Sequence, residues 1–257
     1  MLICPNCNST LKKNDFSYIC ENNHSFDISK TSHINLLISS KTDLGDNKDM
    51  VRARTDFLSR DYYKPLATKL CNLIPSGKII LDCGCGQGYY TKQIADFASN
   101  IYATDISKHA VIHASKNDKK TQYFVGNAFN LPIKESSIDV ITSIFAPLST
   151  DEFYRVLKKD GKALVVVSGE DHLFELKQKV YENPYKNDEN KHDFADFSVK
   201  TKEKLTYTVC IEKNEDIKHL FNMTPYAFKT SIEDMKKLDF LENLDVTLDF
   251  AIYILEK

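Results

Sequence analysis

Apolar and polar positions alternate with two different rhythms along the chain. From residue 78 the rhythm is a repeat of short apolar runs and amphipathic runs. Residues 78–83 (KIILDC) form an apolar run with β-branched residues and predict a strand. A glycine turn at 84–88 follows, then helical spacing over 89–98. Residues 100–105 predict a second strand, 107–117 a helix, 121–128 a third strand and 138–146 a fourth. Residues 149–161 predict a helix ending at Gly161, and 162–168 a fifth strand. Strands alternating with helices imply an α/β, Rossmann-like fold whose mostly parallel sheet is covered on both faces. Beyond it, a helix is expected from Asp171, His172 and Leu173 to Tyr181, and a polar loop over 183–193. Residues 205–211 and 246–256 predict two late strands around a helical stretch.

The first 70 residues read differently. Phe16, Tyr18 and Cys20 alternate, as do Phe26 and Ile28, which predicts short strands. Residues 39–49 are rich in turn residues and read as a loop. Residues 49–60 have helical spacing, with Met50, Ala53, Phe57 and Leu58 on one face. Asp49 with Arg52, and Asp56 with Arg60, are spaced as same-face pairs. Arg52, Arg54, Arg60 and Lys64 could instead touch phosphates. Three regions result: a ribbon at 1–37, a linker and helix at 38–70, and an α/β domain at 71–257.

Composition changes this picture in one place. Hydrophobic residues at 42% and charged residues at 27% fit an ordinary globular protein. A net charge of −2 does not advertise a nucleic-acid binder, so any such grip must be local. No apolar run is long enough to cross a membrane, and no signal peptide stands at the N-terminus. The expected location is therefore cytoplasmic, with no membrane partner. Of seven cysteines, three lie in the first 20 residues. Cys4 and Cys7 are spaced C-x2-C, and Cys20 and His24 C-x3-H. Two such pairs close a tetrahedral site for a structural zinc ion. So short a segment has little core of its own, and the metal would supply folding energy. His33 falls outside the knuckle spacing and is expected to pack.

The glycine turn carries the other chemistry. It reads D-x-G-x-G-x-G over Asp82, Gly84, Gly86 and Gly88. Glycines let backbone approach a ligand, and a helix N-terminus offers free amides. Asp105 ends the second strand, where an acid accepts hydrogen bonds from ribose hydroxyls. Residue 89 is tyrosine, so the third glycine of a dinucleotide motif is missing. Together these features resemble class I methyltransferases, which bind S-adenosylmethionine. Asn127 and Ala128 end the third strand, where the adenine would lie. Cys83 and Cys85 are expected to pack within the turn, and His109 and His113 to lie at the surface. Phe145, ending the fourth strand, is placed either to stack on a base or to pack in the core.

The pieces also resemble a narrower family. C-P-N-C at 4–7, the Y-I-C-x3-H-S-F-D run and H-I-N-L-L are similar to the N-terminus of RlmA-type 23S rRNA (guanine-N1-)-methyltransferases. So are M-V-R-A-R-T-D-F-L at 50–58, L-D-C-G-C-G-Q-G-Y-Y-T at 81–91, I-F-A-P-L at 144–148 and G-E-D-H-L-F-E-L-K at 169–177. The resemblance implies a seven-stranded methyltransferase sheet and a zinc ribbon that helps to grip RNA. It implies transfer of a methyl group to a guanine N1 in hairpin 35 of 23S rRNA. It also implies Cys4, Cys7, Cys20 and His24 as zinc ligands, and Tyr63, Gly88, Tyr89 and His172 as contacts to S-adenosylmethionine. No residue is assigned as the catalytic base. A small-molecule methyltransferase and a non-catalytic zinc-dependent RNA-binding protein remain the alternatives. The expected partner is 23S rRNA, with a homodimer left open.

Overall fold

The computed structural model describes residues 1–39, 44–188 and 192–257. Parts of the two expected loops, 40–43 and 189–191, lie outside the described residues.

A three-stranded antiparallel sheet opens the chain: β1 (Lys12–Lys13), β2 (Ser17–Ile19) and β3 (Ser25–Asp27). Two knuckles flank it. Each turns through an asparagine in the left-handed region, Asn8 at φ 60° and Asn23 at φ 61°. Asparagine tolerates that conformation better than most residues.

The main sheet has eight strands. Its centre is β5 (Lys78–Cys83). On one side lie β6 (Ala98–Asp105), β7 (Gln122–Val125) and β4 (Ile34–Asn35); on the other lie β8 (Ile138–Ile144), β9 (Leu157–Ser168), β11 (Leu244–Glu256) and β10 (Ser198–Ile211). Strands β4 to β9 pair in parallel, whereas β11 runs antiparallel to both β9 and β10. Seven strands match the expected sheet. The eighth, β4, comes from the end of the ribbon segment and extends the edge beyond β7. The chain leaves β5 towards β6 and β7 and returns to β8 on the other side. In sheets of this kind the ligand crevice lies at such a switch point, outside the carboxyl ends of the strands.

Helices cover both faces. Leu66 and Leu70 of α2 (Lys64–Leu73), Leu176 of α6 (Phe174–Val180) and Leu220 of α7 (Asn214–Asn222) pack on Ile80, Val140 and Leu164. On the opposite face, Phe153 of α5 (Thr150–Val156) joins Leu81, Ile141 and Val165. Leu2, Leu11, Tyr18, Ile34 and Leu36 belong to that same second core. Ile3 N–H donates to the Pro132 carbonyl at 3.0 Å, and Tyr18 Oη donates to Gln122 at 2.8 Å. The ribbon is therefore docked on the α/β domain and shares its core, which offers folding energy besides that of a metal.

Several elements differ from the expectation. Helix α1 (Lys48–Leu58) is capped by the Asn47 side chain and buries Val51, Ala53, Phe57 and Leu58, so Val51 replaces Met50 on the inner face. Asp56 pairs with Arg52 at 3.6 Å, and Arg60 reaches Asp216 at 3.2 Å. The helix expected over 149–161 stops at Val156. Leu157 is fully buried opposite Ile138 and starts β9 there. Helix α3 (Tyr89–Ile94) is likewise shorter, because Ala98 already pairs with Lys78. Strand β10 starts earlier than expected: its Lys- and Thr-rich half continues the ladder with β11.

Candidate functional site

The four expected metal ligands converge. The Sγ atoms of Cys4, Cys7 and Cys20 and a ring nitrogen of His24 all lie within 4.8 Å of one another. Cys7 Sγ is 3.7 Å from Cys20 Sγ, and His24 Nδ1 is 3.4 Å from the sulfurs of both Cys4 and Cys20. A tetrahedron with zinc–sulfur bonds of about 2.3 Å has edges of about 3.8 Å, so spacing and donor chemistry both suit zinc. Hydrogen bonds from Ser9 and Asn22 pull the Cys7 thiol down to about 5, which favours the ligating thiolate. His33 is buried and held by Ser29 and Thr31, outside the cluster.

The glycine turn after β5 has left-handed backbone at Gly84, Gly86 and Gly88. A Cβ at Gly84 would lie 2.2 Å from Ala146 Cβ, and one at Gly88 would meet Ala114 Cβ at 2.9 Å. The turn is thus pressed between the end of β8 and α4 (Lys108–Asn117). Cys83 and Cys85 are buried in it, as expected. Asp82 accepts hydrogen bonds from Thr91 Oγ1 and, at 2.8 Å, from Thr142 Oγ1. Burial raises its pKa to about 6. Both oxygens serve the scaffold, tying α3 and β8 to the strand end. Asp105 is placed differently. It accepts from Gly86 N–H at 2.9 Å and from Ser107 N–H at 2.8 Å, at the mouth of the crevice. Asn127 accepts from Phe129 N–H at 3.0 Å, and Asn127 and Ala128 are half-buried beside it. His113 and His109 lie half-buried on α4.

The carboxyl end of β8 carries an aromatic cluster. Tyr63 caps α2 and is 2% exposed, with its hydroxyl 3.4 Å from His172 Nε2. Phe145 stacks on the His172 ring at 5.9 Å between centroids, and Phe250 packs against both. Phe145 has φ 54°, a conformation that is costly for an aromatic residue and concentrated at functional sites. The residue is 39% exposed. Burial lowers the His172 pKa to about 3, so the imidazole is neutral. Its Nδ1 accepts from Asp249 N–H at 3.2 Å. The ring proton therefore sits on Nε2, which makes that nitrogen a donor. Tyr89 begins α3 and packs edge-on against Tyr90. Motif reading had not singled out Phe250. The alternation of Val246, Leu248 and Phe250 put it on one face of a strand, but nothing showed that this face ends at the crevice.

The fold and its two sites define the class: a class I, S-adenosylmethionine-dependent methyltransferase with an N-terminal zinc ribbon. Family profiles agree. Residues 2–41 match the zinc ribbon described as RlmA, N-terminal, and residues 81–165 match a methyltransferase domain. YxjB of Bacillus subtilis (strain 168), whose name assigns it provisionally as a 23S rRNA (guanine-N(1)-)-methyltransferase, is 30% identical over 99% of this chain and 96% of its own length. A 23S rRNA (guanine(748)-N(1))-methyltransferase of Streptomyces fradiae is 29% identical over 68% of this chain and 66% of its own. Among solved structures, the YcgJ protein of Bacillus subtilis superposes with a TM-score of 0.53 at 16% identity, covering 74% of this chain and 97% of that one, which shows the shared fold. The chain belongs to the RlmA-type 23S rRNA (guanine-N1-)-methyltransferase family. No helix among the described residues is long and apolar enough to cross a membrane.

Proposed function

We propose that the protein transfers a methyl group from S-adenosylmethionine to N1 of a guanine in hairpin 35 of 23S rRNA. The observation that carries the reading is the fusion, through one core, of a four-donor metal cluster and a glycine turn closed by Asp105. Cys4, Cys7, Cys20 and His24 hold zinc in this reading. Gly84, Gly86 and Gly88 shape a turn whose backbone meets the cofactor, Gly84 and Gly88 by lying against Ala146 and Ala114, and Asp105 takes its ribose. Asn127 and Ala128 border the adenine, while Tyr63, Tyr89 and His172 line the path to the methyl group. Asp82 acts indirectly, by holding the turn. Such a substrate places the work in the cytoplasm, where ribosomes are built. A homodimer would serve to widen the RNA surface beyond the ribbon.

The cofactor supplies an electrophilic methyl group, so the remaining task is alignment. Phe145, partly exposed and stacked on His172, is placed to meet a splayed base. A neutral Nε2–H on His172 can orient an acceptor but cannot remove the guanine N1 proton. Tyr63, whose pKa burial raises, does not ionise to do so either. The aromatic cluster therefore positions the base and excludes water, and the proton leaves by another route.

The reading is tested by primer extension on 23S rRNA from a strain lacking the enzyme, after incubation with protein and cofactor. Methylation at N1 blocks Watson–Crick pairing. A new, cofactor-dependent stop within hairpin 35 is expected. A stop elsewhere in the RNA would overturn the hairpin assignment, and methyl transfer only to a small molecule would overturn the RNA substrate.

A further inference from the structure

Lys177 lies on α6, five residues after His172, and is 1% exposed. Lysine is almost never buried so deeply unless its charge is met. Its ammonium donates to Asn187 Oδ1 at 2.7 Å and to the Tyr185 carbonyl at 3.0 Å, and lies over the rings of Tyr185 at 4.4 Å and Tyr226 at 5.1 Å. Asn187 faces the other way with its amide nitrogen. Nδ2 donates to the carbonyls of Gly169 at 2.9 Å and His172 at 3.2 Å, and the Asn187 backbone N–H donates to the Glu170 carbonyl at 3.0 Å. Lys186 adds ion pairs to Glu170 and Asp171. Residues 185–187, part of the polar loop expected over 183–193, are thus tied to the turn at 169–173. That turn is strained. Leu173 has φ 57°, an outlier for a bulky residue that persists only where its surroundings over-determine it. Phe145, which stacks on His172, has φ 54°, so strain lies on both sides of this contact.

Resting on the rRNA methyltransferase reading, we infer that Lys177 and Asn187 are positioning residues, which together clamp the 169–173 turn so that His172 stays behind Phe145 where the target base stacks. The chemistry gives each a distinct part. An amide has an accepting end and a donating end, whereas an ammonium only donates. Lys177 therefore fixes Oδ1 of Asn187 towards itself and turns Nδ2 onto the two carbonyls of the His172 turn. A water or a hydroxyl in its place would accept from either orientation and fix neither. The clamp reaches the ring electrostatically as well: after burial, the charge of Lys177 also disfavours a proton on His172. Neither Lys177 nor Asn187 touches cofactor or base in this account. They act through the backbone of the turn.

Methyl transfer to undermethylated 23S rRNA by the zinc-loaded full chain tests this, with kcat expressed per site that binds S-adenosylhomocysteine, so that unfolded protein is not counted. Lys177→Met and Asn187→Ala should each lower that kcat about tenfold or more, with S-adenosylhomocysteine affinity within about twofold of wild type. The double variant should lose no more than the worse single one, because both substitutions open the same clamp. Asn187→Asp separates positioning from packing. It keeps an acceptor for Lys177 and loses the donor to the carbonyls, so it should lose activity like Asn187→Ala while its denaturant midpoint stays nearer wild type. If Lys177→Met does not fold, the two Asn187 variants still decide. Wild-type kcat per site in the folded variants would assign both residues to the scaffold alone and overturn the inference. Additive losses in the double variant, or equal losses of activity and cofactor affinity, would overturn it too. Wild-type protein that binds S-adenosylhomocysteine but leaves the RNA unmethylated would instead refute the reading on which the inference rests.

Discussion

Asp82 illustrates how a motif residue can act through the scaffold. Its carboxylate is enclosed by Thr91 and Thr142 and 1% exposed, and burial lifts its pKa from 3.8 to about 6. A carboxyl with a raised folded pKa holds its proton more tightly in the folded state. Its contribution to stability is fully present below pH 3.8 and is lost as pH rises through about 6. Two pKa units correspond to about 3 kcal/mol in total, roughly half of it lost between pH 5 and pH 8. Asp82→Asn cannot titrate. Urea unfolding at the two pH values should show the variant gaining on wild type by about 1–2 kcal/mol towards pH 8. A gap independent of pH would show that Asp82 does not carry this proton. His172 shows the converse case, a titratable ring kept neutral by burial and fixed in one tautomer by a backbone N–H of β11.

At the scale of elements, the turn between β5 and α3 is the most constrained part of the crevice. Gly84 combines φ 79° with a virtual Cβ 2.2 Å from Ala146, whereas Gly77 has φ 75° and open space around it. The left-handed backbone alone costs about 1–2 kcal/mol for a side chain. Gly77→Ala should therefore lose about that much, read from denaturant midpoints. Gly84→Ala should lose more, and should also lose S-adenosylhomocysteine binding, because β8 must move away from the turn. Equal costs for the two would mean that the close approach to Ala146 is unimportant. The same elements show what the sequence made legible. The core strand β5, the glycine turn and Asp105 stand out because buried runs, glycines and a terminal acid have few alternative uses. The end of α5 did not, since Leu157 suits a helix and a strand equally and only pairing with Ile138 decides between them. The polar half of β10 was hidden for a related reason: its Lys and Thr residues gain strand character only from the partner β11. Phe250 and Asp249 meet His172 from a distant part of the chain, so no local pattern announces them.

For the whole molecule, the ribbon and the α/β domain behave as one folded unit with two separable chemistries. The shared core of Leu2, Tyr18 and Ile34 with Phe124 and Ile133 joins them, while the metal cluster and the crevice use different residues. Cys20→Ala removes one of four zinc donors. It should abolish stoichiometric zinc, measured by atomic emission, and abolish RNA methylation, yet leave S-adenosylhomocysteine binding largely intact. Unchanged zinc content in that variant would refute the ligand assignment. Near-neutral net charge fits the same division, with RNA gripped locally and not by a uniformly basic surface.

The most direct measurement is nucleoside mass spectrometry of undermethylated 23S rRNA after incubation with the zinc-loaded protein and methyl-labelled S-adenosylmethionine. One labelled 1-methylguanosine per RNA is the expected product. Label on another atom or another nucleoside, or none in the RNA while the cofactor still binds, would contradict the account.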